Sequence, residues 1–246
     1  MRIALLSDIH ANREALTACL AHAEQSGAGR YIFLGDYVGY GADPGWVVDR
    51  IMAYVARGAT ALLGNHDAAV LSSSHGMNAV AAEAIAWTRT QLNDEQRDFL
   101  RALPVKLEEH GRLFVHANPW APTDWDYVTG PSTAGRALQA TDARQTFCGH
   151  VHRPALYHMT ATGKVIEFTP VAGIDIPLAS SRHWLAVLGS VGQPRDHNPA
   201  ASYALLDDAH DVLTYMRVPY DVEAAARKVR AAGLPIALAE RLLQGF

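Results

Sequence analysis

Five short polar motifs in the first 152 residues contain side chains that can bind metal ions. Each places Asp, Asn or His at or just after the end of an apolar run, where a strand would pass into a loop. Carboxylate and amide oxygens and imidazole nitrogens together supply enough donors for two metal ions, and two neighbouring ions suit the hydrolysis of phosphate esters. In chain order the motifs are Asp8-Ile9-His10, Gly35-Asp36, Gly64-Asn65-His66-Asp67, the single His116, and Gly149-His150-Val151-His152.

The spacing within the first and last motifs favours chelation. Side chains two residues apart on an extended segment point the same way, so Asp8 and His10 are predicted to converge on one point, as are His150 and His152. Taken alone, an Asp-x-His pair is more often part of a surface loop. The His-x-His pair is more informative, because Gly149 lets backbone approach closely. A metal would also hold both imidazoles in the neutral form and so remove their mutual repulsion.

The middle motifs allow both a metal-binding and an ordinary structural interpretation. The Asp36 carboxylate has two oxygens and can bridge two cations. Asn65 offers a neutral amide oxygen, while His66 can face a substrate instead of a metal. Alternatively, Asn65 or Asp67 would serve as the N-cap of a helix, and His116 would be a common strand-end histidine. Chance placement of all five motifs in this order is improbable.

The first hundred residues alternate between apolar runs and segments with helical spacing. This alternation favours parallel βαβ units. Pro44 suits the first turn of a helix, and Asn93 is a plausible cap between two helices, with Glu95 and Gln96 in the new first turn. The predicted strands are residues 2–7, 31–34 and 60–63, and the predicted helical segments are Arg13–Gln25, Pro44–Arg57 and 77–101.

The later part of the chain is richer in strands. A hairpin around His110-Gly111 precedes a loop at 117–130, which contains two Pro and two Trp. Strands with helices before and after them predict two sheets packed face to face with helices outside, in a single domain over residues 1–246. The predicted strands are 105–108, 113–116, 145–148, 155–159, 164–168, 184–188, 202–206 and 212–218, and the predicted helices are 132–140, 221–232 and 236–244.

Composition narrows the functional classes. The 246 residues are 49% hydrophobic, and 21 Lys+Arg against 25 Asp+Glu leave a net charge of −4 without a basic run. We therefore expect no long nucleic acid as a partner. No signal peptide and no membrane span are predicted. Cys19 and Cys148 lie in apolar contexts and form no C-x-x-C pair, which favours reduced, buried thiols and a cytoplasmic protein.

The ordered set of motifs resembles that of the calcineurin-like metallophosphoesterase superfamily. The resemblance implies an α/β fold, a four-layer α-β-β-α sandwich of two mixed sheets. It implies two divalent metal ions, for which mixed nitrogen and oxygen ligands suit Mn, Fe or Zn. It further implies in-line attack on phosphorus by a hydroxide between the ions, with His66 as general acid or charge stabiliser. The implied ligands are Asp8, His10, Asp36 and His152 for one metal, and Asp36, Asn65, His116 and His150 for the other.

Two positions depart from the similar stretch of Ser/Thr protein phosphatases. Gly39 replaces the Asp that orients the catalytic histidine there, and Tyr40 replaces the Arg that grips phosphate. What orients His66 is left open between Asp67 and Asp43. These departures favour a compact prokaryotic phosphodiesterase acting on a small phosphorylated or nucleotide-like substrate. A protein phosphatase, a diadenosine tetraphosphatase-type hydrolase and a non-catalytic scaffold are the alternatives, and the last predicts eroded ligands, whereas every ligand position is filled.

Several residues outside the motifs are weaker candidates for the site. Arg153 can reach a phosphate, although a salt bridge at the sheet rim is the more common role of such a residue. The pairs Tyr37/Tyr40 and Trp120/Trp125 can stack on a nucleobase, or can simply pack. His75 can approach the site from the segment after the third motif. The Gly- and Pro-containing segment 189–196 is predicted to be a loop that can line the pocket.

Overall fold

Two six-stranded β-sheets form the centre of the fold. The computed structural model describes residues 1–72 and 77–246. Over those ranges the chain forms twelve strands and eight helices. The strands are β1 (Arg2–Leu6), β2 (Ala28–Phe33), β3 (Thr60–Ala61), β4 (Lys106–Glu109), β5 (Arg112–Val115), β6 (Gln145–Cys148), β7 (Pro154–Met159), β8 (Val165–Phe168), β9 (Asp175–Pro177), β10 (His183–Leu188), β11 (Ala201–Asp207) and β12 (Val212–Val218). The helices are α1 (Arg13–Gln25), α2 (Pro44–Val55), α3 (Asn65–Leu71), α4 (Ala79–Gln91), α5 (Asp94–Arg101), α6 (Pro131–Gln139), α7 (Val222–Ala231) and α8 (Ile236–Gln244).

The first sheet places three motifs at one edge. Its strand order is β3-β2-β1-β11-β12-β9, and β1, β2 and β3 are parallel neighbours, as the βαβ prediction requires. Parallel strands end at the same edge of a sheet. The loops after β1, β2 and β3 therefore bring Asp8, Asp36 and Asn65 to a common edge. Strands β11, β12 and β9 pair antiparallel, which makes the sheet mixed.

The second sheet supplies the remaining motifs in the same way. Its order is β4-β5-β6-β10-β7-β8, and β5, β6 and β10 are parallel neighbours within it. The segments after these three strands contain His116, the motif 149–152 and the loop 189–196, respectively. The ends of five parallel strands, three in the first sheet and two in the second, thus carry the five motifs, and the end of β10 carries the loop 189–196.

The layers follow from the two faces of each sheet. In β1, Ile3 and Leu5 pack into the core between the sheets, whereas Ala4 and Leu6 pack against the helices outside. Phe114 and Phe147 stack in the same central core from the second sheet, with ring centroids 5.1 Å apart. Helices α1 and α2 cover the outer face of the first sheet and α6 covers the second. The predicted four-layer α-β-β-α sandwich is confirmed.

Local signals account for most element boundaries, with two exceptions. Asn93 caps α5 by accepting the Gln96 N–H at 2.8 Å, as predicted. Helix α3 was considered only as the alternative interpretation of the third motif, and its N-cap is Gly64 rather than Asn65 or Asp67. Strand β9 was missed, because its three residues Asp175–Pro177 include two strand-disfavouring types and pair only with β12.

No helix in the described ranges is long and apolar enough to cross a lipid bilayer.

Candidate metal centre

The motifs converge in one buried cluster where the strand ends of the two sheets meet. Three overlapping groups of side chains bring their donor atoms within 4.8 Å of one another. Asp36 and His10 each belong to two groups, so the groups form one continuous cluster. The amide of Asn65 joins it, with Oδ1 3.0 Å from His116 Nε2. The groups are Asp8–His10–His152, His10–Asp36–His66 and Asp36–His116–His150.

One half of the cluster is built around Asp8. His152 Nε2 lies 3.3 Å and His10 Nε2 lies 3.9 Å from Asp8 Oδ1. His10 Nε2 also lies 3.6 Å from Asp36 Oδ2, and the Nε2 atoms of His10 and His152 are only 3.0 Å apart. All four side chains are at most 2% exposed. Four potential ligands therefore surround a point that is shielded from solvent.

The other half of the cluster also contacts Asp36. His116 Nε2 lies 3.4 Å from Asp36 Oδ2, so this carboxylate oxygen faces imidazoles from both halves. His150 Nε2 is buried and has no hydrogen-bond partner within the described ranges. The His150 ring stacks on Tyr127, with centroids 4.1 Å apart and planes inclined by 16°. Asp36 thus occupies the position expected of a bridging carboxylate.

Backbone carbonyls set the tautomer of three imidazole rings. The Nδ1 atoms of His10, His116 and His152 lie 3.2, 2.9 and 2.7 Å from the carbonyl oxygens of Val38, Leu34 and Gln193. A carbonyl only accepts, so each Nδ1 carries the hydrogen. In the neutral ring, Nε2 then presents its lone pair to the cluster, which is the form that a metal requires.

The ligand loops have left-handed backbone conformations instead of the predicted extended ones. Asp8, His10, Asp36, His150 and His152 all have φ between 49° and 66°. Non-glycine residues rarely adopt such values, and they concentrate at functional sites. The prediction that these side chains converge because their backbone is extended was therefore wrong about the backbone. It was also wrong in its result for the last motif, because His150 and His152 turn into different groups of the cluster.

Gly149 makes this turn possible. A Cβ at position 149 would overlap Ser7 Oγ and the Asp8 carboxylate, which confirms the predicted close approach. The following amide, His150 N–H, donates to both Asp8 oxygens at 2.9 and 3.1 Å. These hydrogen bonds connect Asp8, which follows a strand of the first sheet, to His150, which follows a strand of the second.

Neighbouring charges decide the protonation states within the cluster. Burial raises the pKa of a carboxyl, yet nearby imidazoles hold the pKa of Asp8 and Asp36 below the usual range. Burial lowers the pKa of His150 to about 3. For His116, burial acts in the same direction, but the Asp36 carboxylate outweighs it and raises the pKa to about 9. At neutral pH both carboxylates are ionised, and His116 holds a proton that a cation beside Asp36 would displace.

His66 lies on the wall of the cluster and is held by packing. Its ring is 4.5 Å from the Tyr40 ring and 4.8 Å from the His10 ring. A Cβ at Gly39 would overlap His66 Nδ1, and Nδ1 has no hydrogen-bond partner in the described part of the chain. Burial lowers the pKa of His66 to about 4, which keeps the ring neutral at pH 7.

Neither of the two carboxylates considered as an orienting group for His66 hydrogen-bonds its ring. Asp67 accepts the backbone N–H groups of Asp36, Tyr37 and Gly64 at 2.8, 2.9 and 3.0 Å. Asp43 pairs with Lys228 at 2.8 Å. Asp67 thus shapes the turn that carries Asp36, a structural role that the sequence did not reveal.

A cleft of about 340 Å³ opens beside His66 and His150. Three aromatic side chains line it, Tyr40, Trp125 and Tyr127. Tyr40 and Trp125 were predicted as candidates, whereas Tyr127 was missed, although it lies in the same predicted loop as Trp125.

The other two predicted aromatic residues have structural roles. Tyr37 is fully buried, and its hydroxyl donates to Leu62 O at 2.7 Å. Trp120 donates to Asp126 at 3.2 Å and packs under Arg136. The stacking hypothesis was therefore wrong for Tyr37, and Trp120 does not line the cleft.

The loop 189–196 reaches the cluster, and it carries an arginine that the sequence analysis did not single out. The Arg195 guanidinium lies 5.8 Å from the Tyr40 ring. Arg153, in contrast, is exposed and lines a separate cavity with Tyr157 and Glu167. It forms no ion pair within residues 1–72 and 77–246, so the expected rim salt bridge is not present there. His75 lies outside the described residues.

The fold and the cluster together define a metal-dependent hydrolase. The chain belongs to the calcineurin-like phosphoesterase superfamily, whose domain model matches residues 1–211. It is 35% identical over 249 residues to the uncharacterised protein MJ0912 of Methanocaldococcus jannaschii. The aligned region covers 99% of this chain and 98% of that protein.

Solved structures agree with this membership. The crystal structure of a metallophosphoesterase from Sphaerobacter thermophilus is 34% identical and superposes with a TM-score of 0.89, covering 100% of this chain and 99% of that one. The hypothetical protein PH1004 from Pyrococcus horikoshii OT3 is 21% identical with a TM-score of 0.79, covering 100% and 98%, and shows the shared fold. The protein is thus a phosphoric ester hydrolase, and its family implies divalent metal ions.

Proposed function

We propose that the protein is a dinuclear-metal phosphodiesterase that acts on a small or nucleotide-like substrate. The observation that carries this proposal is the 3.0 Å separation of His10 Nε2 and His152 Nε2. Both rings donate from Nδ1 to carbonyls, so both Nε2 atoms present lone pairs. Two lone pairs at that distance repel unless a cation accepts both. The unpartnered His150 Nε2 in the other half of the cluster supports a second cation.

The donor set divides naturally between two ions. Asp8, His10, Asp36 and His152 would hold the first. Asp36, Asn65, His116 and His150 would hold the second, with Asp36 shared. Mixed nitrogen and oxygen donors favour Mn, Fe or Zn.

The surrounding residues would position the ester and its leaving group. The chemistry that two divalent ions supply when bound is Lewis acidity, which lowers the pKa of water and neutralises charge on phosphoryl oxygens. His66 borders the cleft, and its neutral ring would donate a hydrogen bond to the leaving oxygen. Burial of the cluster excludes bulk water, which strengthens these electrostatic interactions.

The cleft supports a substrate with an organic group beyond the phosphate. Its volume of about 340 Å³ falls in the range of small-ligand sites, and its aromatic walls would stack on a planar group such as a nucleobase. A diester has two organic arms, and the cleft beside His66 would accommodate one of them. Tyr40 stands where protein phosphatases carry a phosphate-binding arginine, which disfavours that alternative. Cys19 and Cys148 are buried free thiols, which supports the proposed cytoplasmic location.

Elemental analysis combined with two model substrates tests this proposal. We expect near two metals per chain and, with Mn²⁺, faster hydrolysis of bis-p-nitrophenyl phosphate than of p-nitrophenyl phosphate. Preference for the monoester would instead favour a phosphatase. Asp36→Asn removes the charge of the shared ligand, so we expect less than two metals per chain and a loss of turnover of about 100-fold or more. Asp94→Asn, on the exposed surface of α5, is the matched control. Full metal content and activity in Asp36→Asn would refute the ligand assignment.

A further inference from the structure

Arg195 holds its guanidinium beside Tyr40, a neighbour of the side-chain cluster, without a carboxylate partner. It forms no ion pair within residues 1–72 and 77–246, although arginines elsewhere in that part of the chain, such as Arg217 and Arg112, pair with aspartates. Arg195 is half-buried. A partly desolvated cation without a counter-ion is unfavourable by itself, and an anionic ligand at this position would relieve that cost.

The loop 189–196 fixes the base of this side chain against the ligand loops. Arg195 N–H donates to His152 O at 3.0 Å, and Arg195 Nη2 donates to Gln193 Oε1 at 2.9 Å. The Gln193 carbonyl in turn accepts from His152 Nδ1 at 2.7 Å. The guanidinium is therefore tied to a predicted ligand by three hydrogen bonds through the backbone and one neighbouring side chain.

Further contacts hold the loop itself in place. Val191 and Gly192 donate their N–H groups to the carbonyls of Ser7 and Asp8 at 3.0 and 2.9 Å. Asn12 Nδ2 donates to Gly192 O at 2.9 Å. The loop is thus anchored to the segment that carries Asp8 and His10. Arg195 is preorganised with respect to the cluster.

The tip of Arg195 lies beside a wall of the cleft. It is 5.8 Å from the ring of Tyr40, a residue that lines the cleft and contacts the rings of His66 and His10 at 4.5 and 4.6 Å. The guanidinium therefore lies next to a side chain that borders both the cluster and the cleft.

We propose that Arg195 binds the non-bridging oxygens of the scissile phosphoryl group and supplies, from a different loop, the arginine that is absent at Tyr40. This proposal rests on the proposed function of the site. A planar guanidinium matches two phosphoryl oxygens in a fork. A single guanidinium also complements the one negative charge of a phosphodiester.

The test compares Arg195→Ala and Arg195→Lys with Arg153→Ala in the Mn²⁺-loaded enzyme. Arg153 is the matched control, because it directly follows His152 but faces the separate cavity. For Arg195→Ala we expect kcat/KM on bis-p-nitrophenyl phosphate to fall about 100-fold, with metal content unchanged. Arg195→Lys keeps the charge but not the fork, and should lose about 10-fold. Arg153→Ala should stay within about twofold of wild type.

Two further readouts separate phosphate binding from a structural role. Added guanidinium should partly restore the activity of Arg195→Ala, and inorganic phosphate, titrated calorimetrically, should bind that variant at least about 10-fold more weakly. Wild-type-like kinetics and phosphate binding in Arg195→Ala would overturn the proposal. Loss of metal in Arg195→Ala, without rescue and with Arg195→Lys fully active, would assign the residue a structural role. If the wild type hydrolyses neither ester, the proposed function fails, while the phosphate titration still tests Arg195.

Discussion

Steric contact positions the imidazole of His66, because no carboxylate does. The ring lies against Gly39, where a Cβ would overlap Nδ1, and contacts the rings of Tyr40 and His10. Its backbone N–H donates to Asp36 Oδ1 at 2.8 Å, which links it to the shared carboxylate. The aspartate that orients the histidine in the similar protein phosphatases has no room at position 39. Glycine at position 39 thus gives the His66 ring the space that it occupies, and the same position offers no carboxylate to Nδ1.

Replacement of this histidine distinguishes a proton donor from a metal ligand. For His66→Ala we expect metal content near that of the wild type, because the other donors remain. Hydrolysis should slow by about 100-fold for esters with poor leaving groups and much less for p-nitrophenyl esters, which need little help from an acid. A series of aryl phosphodiesters with graded leaving-group pKa values measures this as a steeper dependence of kcat on leaving-group pKa in the variant.

The grouping of His66 with His10 and Asp36 allows the opposite result. If elemental analysis shows that His66→Ala has lost a metal, the residue is a ligand and its role as a donor is wrong. An equal loss of rate across all leaving groups would also contradict the proton-donor role.

At the scale of elements, the turn after β2 depends on one buried carboxylate from α3. Asp67 accepts backbone N–H groups at Asp36, Tyr37, Val38 and Gly64. Burial and the nearby Asp36 raise the pKa of Asp67 to about 7, although its hydrogen bonds with the backbone act against this rise. The turn that carries Asp36 is therefore supported by a side chain that accepts hydrogen bonds from four backbone N–H groups.

An isosteric substitution tests this support. Asp67→Asn would place an amide NH₂ against backbone N–H donors, which leaves buried donors unsatisfied. We expect the free energy of unfolding of the metal-free protein to fall by about 2–3 kcal/mol, measured by urea denaturation. Asp98→Asn removes an exposed i,i+3 pair with Arg101 and should change stability by less than about 0.5 kcal/mol. Equal stability of the two variants would contradict the assigned role of Asp67.

The sequence predicted the convergence of the five motifs because the ends of parallel strands meet. Asp8, Asp36 and His116 follow buried apolar runs, so their convergence needs only strand order. The backbone of these segments could not be predicted in the same way, because the left-handed φ values at Asp8 and Asp36 accompany hydrogen bonds to residues distant in sequence, from His150 and Gly192 to Asp8 and from the Asp36 N–H to Asp67. Tyr127 could not be predicted as a cleft residue, because it lies within a long loop and follows no apolar run. Its stacking on His150 places it in the wall of the cleft.

Arg195 shows the same limit for a residue remote in sequence. The segment 189–196 was predicted to be a loop able to line the pocket, and its turn-forming residues support that prediction. Which of its side chains lies near the side-chain cluster depends on the pairing of β10 beside β6 and on hydrogen bonds to Asp8 and His152. These are contacts between residues at least 39 positions apart, and no local pattern encodes them.

At the scale of the whole molecule, the side-chain cluster lies between the two sheets and draws residues from both. Asp8 and Asp36 follow strands of the first sheet, whereas His116 and His150 follow strands of the second. The central hydrophobic core also draws side chains from both sheets. Neither half can form the cluster or the central core alone. We therefore propose that residues 1–246 fold as a single domain whose stability is coupled to metal binding.

Calorimetry tests this coupling. A ligand that binds only the folded state at 1,000 times its Kd adds about 4 kcal/mol, which corresponds to a Tm increase of about 8–16 °C for a chain of this size. We expect Mn²⁺-loaded protein to unfold in one transition with equal calorimetric and van't Hoff enthalpies, and chelation to lower Tm by roughly this amount while keeping one transition. Because Asp36→Asn removes the negative charge of the proposed shared ligand, the Tm of this variant should respond much less to Mn²⁺. Two separate transitions, of which only one shifts on chelation, would show that the sheets unfold independently, and an unchanged Tm would show that the cluster binds metal too weakly to couple them.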